Sequence, residues 1–348
     1  MYLQNCGSMK MNLDQLIEDI KVVWNAHQRF EDIEGKRYNY IADVGNCLVY
    51  CGLTFPKRRK AILFGFQSKL PNNALPQSKG FSIVRVVHDS LSTELEWLSI
   101  ICDEQDYEDI YLSMIRDVLG VIRFHYEEES KMNLPQVIVE RIKDWQSFLG
   151  REKSKYLSKE QEIGLWGELM VLRQLVDKGF SPDLIIQGWT GPDDKAKDFS
   201  VFNVCIEAKS FVGRDSIVVK ISSLEQLDSS DCREVFLICN SLQIDDGVGL
   251  TLSDLIESIF ERLDTFADKI NLQGKLMRFG LTEESLGYYS TSYSLYSQTL
   301  FNIDDSFPKL VHSNTPKEVI NAVYSLDLTG YTSDVVFSDI IKAIGDNV

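Results

Sequence analysis

Asp198, Glu207 and Lys209 are the residues whose types and spacing could do chemistry. Ala208 alone separates Glu207 from Lys209, so on an extended strand both project from one face. Eight residues, 199–206, lie between Asp198 and Glu207, and the runs Asp198 to Val201 and Val204 to Phe211 suit a hairpin folded about Phe202-Asn203. Such a hairpin pairs Val201 with Val204, Ser200 with Cys205 and Asp198 with Glu207, placing two acids on one face with Cβ atoms about 5 Å apart. Ile206 and Ala208 then point the other way, into a core. The turn lacks the usual glycine, but any even-length loop with the same centre keeps this pairing.

Two like charges so placed repel. A hard divalent cation relieves them, because Mg²⁺ takes carboxylate, carbonyl and water oxygens and commonly only one or two protein carboxylates. The Ala208 carbonyl could add a further ligand. A lysine beside such an ion can steer a water or hydroxide and offset negative charge developing at phosphorus. A plain surface strand carrying a Glu–Lys ion pair uses the same residues. The upstream Asp193 and Asp194 are an alternative first acid, but they read as a loop, and only Asp198 falls opposite Glu207.

The elements around this hairpin can be read in order. Ser158 to Gln161 is a capping box, and the helix it opens runs to Lys178 and stops at Gly179. Glu168 sits inside it among Gly164, Leu165, Val171 and Leu172. A carboxylate in an apolar stripe is costly unless it is paired, coordinating or able to reach solvent. Gly164 and Gly167 thin the helix there and invite a close approach. After a loop rich in Gly, Pro and Asp come the hairpin and a third run, Ser216 to Ile221. Overlapping boxes, Ser222 with Glu225 and Ser223 with Gln226, predict a helix start. Glu234 to Cys239 reads as a buried strand, Leu252 to Ile270 as one long amphipathic helix, and the last roughly seventy residues as strands and loops. The order is α-β-β-β-α-β, then a helix.

The N-terminal half is less informative. Leu13 to Phe30 has helical spacing, Leu48 to Phe66 reads as two strands around Pro56 to Lys60, and Phe81 to His88 alternates like a strand. Tyr107 to Phe124 and Leu134 to Leu149 are amphipathic helices, and Pro71 to Gly80 is loop-like. The chain divides into an N-terminal α+β domain, 1–150, without evident chemistry, and a second domain, 151–348.

Composition narrows the function classes. A 348-residue chain with 44% hydrophobic and 25% charged residues is globular rather than disordered or fibrous. Its formal charge of -16 excludes a generally basic surface, though not a local basic groove. Seven scattered cysteines without a CxxC pair, and isolated histidines, argue against a zinc site, a disulfide framework or a histidine-dependent hydrolase. Any metal would be held by oxygen. No apolar run is long enough for a membrane helix and no secretory signal is visible, so a cytoplasmic location is expected.

Asp198, Glu207-Ala208-Lys209, the upstream helix Glu168 and the downstream Gln226 together resemble the PD-(D/E)xK nuclease superfamily, in particular a branch found in bacterial defence neighbourhoods. The resemblance covers about Lys155 to Cys239, with FNIDDSFPKL and YSLDL also similar. It implies an α/β (α+β) restriction-endonuclease-like core, a mixed central sheet flanked by helices. It further implies Mg²⁺ or Mn²⁺ on Asp198, Glu207 and the Ala208 carbonyl, and a water positioned by Lys209. Glu168 would be an outer or second-metal carboxylate and Gln226 a polar support near the scissile phosphate, although its capping box explains Gln226 equally well.

The expected function is Mg²⁺-dependent cleavage of DNA within a restriction or anti-phage system. Lys57 to Lys60, Lys195, Lys197, Lys209 and Lys220 could touch phosphates, although the Lys57 run also reads as a solvated hairpin tip, and partner defence proteins or a homodimer are compatible with it. The alternative is a non-catalytic subunit that uses the fold to bind a partner protein or nucleic acid. RNA as substrate stays open as well.

Overall fold

The computed structural model describes residues 12–29, 35–72, 75, 80–87, 92–103, 108–149, 156–193, 195–245 and 247–345. Two compact units are present, Met1–Glu152 and Lys153–Val348. Asp194, Cys6 and most of the Pro71 to Gly80 loop lie outside the described residues.

In the first unit, Asn12 caps α1 (Leu13–His27), whose apolar face carries Ile20 and Trp24. The helix packs on a five-stranded antiparallel sheet. Its strands are β1 (Gly35–Val44), β2 (Cys47–Phe55), β3 (Arg59–Phe66), β4 (Phe81–Arg85) and β5 (Glu96–Cys102), in the order β1-β2-β3-β5-β4. Helices α2 (Glu108–Glu127) and α3 (Leu134–Leu149) complete the unit. The basic run spans the β2–β3 turn and the first two residues of β3, where Arg59 pairs with Asp103 and Lys60 with Glu108, which occupies two of its four cations.

The second unit is built on α4 (Lys159–Asp177). Ser158 and Gln161 form the predicted capping box, and Gly179 follows the helix at φ +92°. After α5 (Pro182–Gly188) and a single 3₁₀ turn (Gly191–Asp193) come β6 (Phe199–Val201) and β7 (Val204–Val212). Their register is Val201↔Val204, Ser200↔Cys205 and Phe199↔Ile206, as the sequence predicts. Phe202 and Asn203 both take positive φ, 46° and 63°, so two non-glycine residues make a turn that fits the twist of a tight hairpin.

Next are β8 (Val218–Ile221) and β9 (Glu234–Ile244), then α6 (Leu252–Phe260), α7 (Phe266–Phe279), α8 (Glu283–Leu286), β10 (Tyr293–Asn302), β11 (Tyr324–Asp327) and α9 (Phe337–Gly345). The central sheet runs β10-β9-β7-β6, with β7 and β9 parallel and the other pairs antiparallel. Such a mixed sheet flanked by helices is a restriction-endonuclease-like α+β fold. Leu165, Leu169 and Leu172 of α4 share one core with Phe199, Ile206, Ala208 and Ile238; Cys205, Val219, Leu237 and Phe301 form a second.

Four expectations need correction. No helix forms at Ser222: the Ser222 N–H donates to Gln226 Oε1 (2.7 Å), residues 224–227 make a turn, and the polar run Asp228 to Asp231 offers no apolar stripe to extend it. Strand β8 leaves the central sheet and pairs with β11. The helix predicted over 252–270 is two helices, because Thr265 caps a new one by accepting from the Asp268 N–H at 3.1 Å. Lastly, Cys205 and Cys232 form a disulfide, which brings together two cysteines 27 positions apart.

Candidate active site

The site lies where β6 ends beside β7. Beyond Phe199↔Ile206 the short strand gives no further pairing, so the β7 backbone is left open from Ala208 onward. Asp198 takes over there, its Oδ2 accepting from the Ala208 N–H at 2.7 Å. In a β-strand the N–H and C=O of one residue project to the same side. The Ala208 carbonyl therefore faces the same open edge as the Asp198 carboxylate.

Glu207 is fully buried, and Lys209 Nζ lies 2.7 Å from its Oε1. Apart from Lys209, neither Glu207 oxygen has a hydrogen-bond partner among the described residues. A buried carboxylate with open lone pairs is costly, so this one is built to receive something. Burial and the Asp198 charge raise the Glu207 carboxyl to about 8, against the pull of Lys209. Burial likewise raises Asp198 to about 6. Burial depresses the Lys209 ammonium, but the charges of Glu207, Asp198 and Glu168 outweigh it and the net shift is upward.

Glu168 comes from α4 and is buried at 8% exposure. Burial and the Asp198 charge push its carboxyl well above the ordinary range, opposed by the Trp189 indole, whose Nε1 donates to Oε2 at 2.7 Å. The close approach foreseen at Gly167 is made by the sheet itself, since a Cβ there would fall 1.7 Å from Ser210 Oγ. Gln226 reaches the group from the turn after β8, its Oε1 3.5 Å from Lys209 Nζ.

The structure thus brings Glu168, Asp198, Glu207, Ala208, Lys209 and Gln226 to one edge of the sheet. Asp193 is engaged elsewhere: Lys275 Nζ and Arg278 donate to its two oxygens at 2.6 Å each. Burial raises its carboxyl, and these two cations more than reverse the shift. Sequence reasoning missed Trp189; a tryptophan at the border of a Gly-Pro-Asp loop, needing a partner for its N–H, is the signal that could have found it.

No three His, Cys, Asp or Glu side chains among the described residues form a ready metal cage. The donors nonetheless fit a hard cation. Two carboxylates, one of them without a hydrogen-bond partner besides Lys209, and an edge carbonyl make an oxygen set that waters would complete, as is usual for Mg²⁺.

A family model matches residues 20–329, described as "Putative PD-(D/E)XK family member, (DUF4420)". None of the curated proteins and none of the solved structures compared with the chain matches it.

Proposed function

From the premise that this chain belongs to the DUF4420 family of the PD-(D/E)xK superfamily, we propose that it is a divalent-metal-dependent nuclease that hydrolyses DNA. The observation that carries this reading is the buried Glu207 carboxylate, paired with Lys209 and otherwise without a hydrogen-bond partner among the described residues, beside Asp198 on the same hairpin. Asp198, Glu207 and the Ala208 carbonyl would hold Mg²⁺ or Mn²⁺. When bound, such an ion supplies positive charge at the phosphate and a more acidic water.

The chain's own residues account for the rest. Lys209, tethered by Glu207 and within reach of Gln226, orients the attacking water and sets an ammonium beside the phosphorane oxygens. Glu168 adds a carboxylate beside Asp198, as an outer or second-metal ligand. Lys197, half-buried with its Nζ donating to the Glu225 carbonyl at 2.9 Å, and the exposed Lys195 are the candidates to meet phosphates flanking the scissile one. A role in restriction or anti-phage defence belongs to the same proposal.

The test is cleavage of supercoiled, linear and single-stranded DNA across Mg²⁺, Mn²⁺ and Ca²⁺, with Glu207→Gln as control. Mg²⁺- or Mn²⁺-dependent cutting lost in Glu207→Gln supports the reading. Protein that stays inert with every DNA form and metal, alone and with its operon neighbours, leaves instead a subunit that binds a partner through this fold.

A further inference from the structure

The short segment between α5 and β6 touches both outer acids of the site. Trp189 Nε1 holds Glu168 Oε2 at 2.7 Å. The next two residues hold Asp198, whose backbone carbonyl accepts from the Thr190 N–H at 2.7 Å and the Gly191 N–H at 3.1 Å. Thr190 Oγ1 adds a bond to the Lys197 carbonyl at 2.7 Å. Gly191 lies between the two carboxylates: a Cβ there would be 2.5 Å from Glu168 Oε2 and 3.4 Å from Asp198 Oδ1. Its φ is not in the left-handed region, so what a side chain there would meet is the Glu168 carboxylate and not a backbone restriction. The segment is itself fastened, since Lys275 Nζ donates to the Trp189 carbonyl at 2.6 Å while pairing with Asp193.

We propose that Trp189 and Gly191 are positioning residues that fix the Glu168 carboxylate beside Asp198, so that α4 and the β6–β7 hairpin present their acids at one spacing. The inference deepens the nuclease reading and rests on it. Trp189 is fully buried and stacks on Phe279 at a centroid distance of 6.2 Å. A phenylalanine in its place keeps an aromatic body and removes the donor, together with some ring volume whose packing cost the melting measurement reads. An alanine at Gly191 keeps the segment's backbone bonds and pushes on Glu168 Oε2. Partners that orient metal-binding groups typically cost tenfold or more in metal affinity when removed.

The experiment is a double-mutant cycle on the full chain. Mn²⁺ binding is read by electron paramagnetic resonance and DNA cleavage by kcat and KM. The proteins are wild type, Trp189→Phe, Gly191→Ala, Glu168→Ala and the two double variants. Trp189→Phe and Gly191→Ala should each weaken Mn²⁺ binding about tenfold and lower kcat with KM for DNA unchanged. Neither should add to the loss already caused by Glu168→Ala. Thermal melting checks the fold; should Trp189→Phe not fold, Gly191→Ala decides.

Single variants that bind and cleave like wild type, or losses that add fully to Glu168→Ala, overturn the inference and leave the nuclease reading standing. A wild-type protein that neither binds Mn²⁺ nor cleaves DNA overturns the nuclease reading, and this inference with it.

Discussion

Asp198 does with its side chain what a longer β6 would do with its backbone: its Oδ2 accepts the Ala208 N–H at 2.7 Å, where the ladder stops at Phe199↔Ile206. The same atom group is thus an edge cap and a candidate metal ligand. Asparagine at this position keeps the acceptor and removes the charge. Asp198→Asn is therefore expected to lose at least 100-fold in DNA cleavage, a factor worth about 2.7 kcal/mol in barrier, with a melting temperature at pH 8 equal to or above that of wild type. Asp193→Asn, which weakens the contacts to Lys275 and Arg278, is expected to lower the melting temperature and to cost far less cleavage than Asp198→Asn. The opposite pattern, an active Asp198 variant and a dead Asp193 variant, would move the ligand to the loop.

The shifted carboxyls also set a pH dependence. Glu207 rises from 4.5 to about 8 and Asp198 from 3.8 to about 6. An acid whose folded pKa is raised favours folding most below its unfolded pKa, and that advantage disappears as pH climbs through the folded value. The groups facing Glu207 are Asp198 and Glu168, which repel its charge, and Lys209 and Lys197, which attract it. Metal-free wild type should lose stability relative to Glu207→Gln as pH rises from about 5 to 8.5, by on the order of 3 kcal/mol. Melting temperatures of the two proteins across that range read it directly. Parallel curves would mean that Glu207 stays ionised throughout.

The disulfide adds a third expectation. It joins Cys205, two residues before Glu207, to Cys232 in the connection that also carries Gln226. Closing a loop of 27 positions restricts the unfolded chain by about 3–4 kcal/mol. A dithiol reductant, or Cys232→Ser, is expected to lower the melting temperature by several degrees, and reductant should then have no effect on the serine variant. Equal melting with and without reductant would show that the bond contributes nothing.

Local signals explain what the sequence made legible. The Ser158 capping box, the Gly179 stop and the period-2 placement of Glu207 and Lys209 each depend on neighbours within a few residues, and the structure keeps all three. The hairpin register followed from its centre alone. The losses are tertiary. The Ser222 boxes could not form because Gln226 turns back to the Ser222 N–H and to Lys209, while Glu225 goes to His312. The pairing of Cys205 with Cys232 depends on β7 and β9 lying parallel, which no spacing in the chain announces. Strand β1 was hidden because its residues are mostly exposed or half-buried and show no clean alternation. Among the described residues no helix is long and apolar enough to cross a membrane.

The central claim is that Asp198 and Glu207 share a divalent cation. Its most direct measurement is the anomalous difference signal from crystals soaked in Mn²⁺. The account predicts a peak about 2.0–2.3 Å from a carboxylate oxygen of each residue and from the Ala208 carbonyl, with Lys209 beside it. A peak coordinated by Asp193 instead, or an empty hairpin with Lys209 still closed onto Glu207 at saturating Mn²⁺, would contradict it.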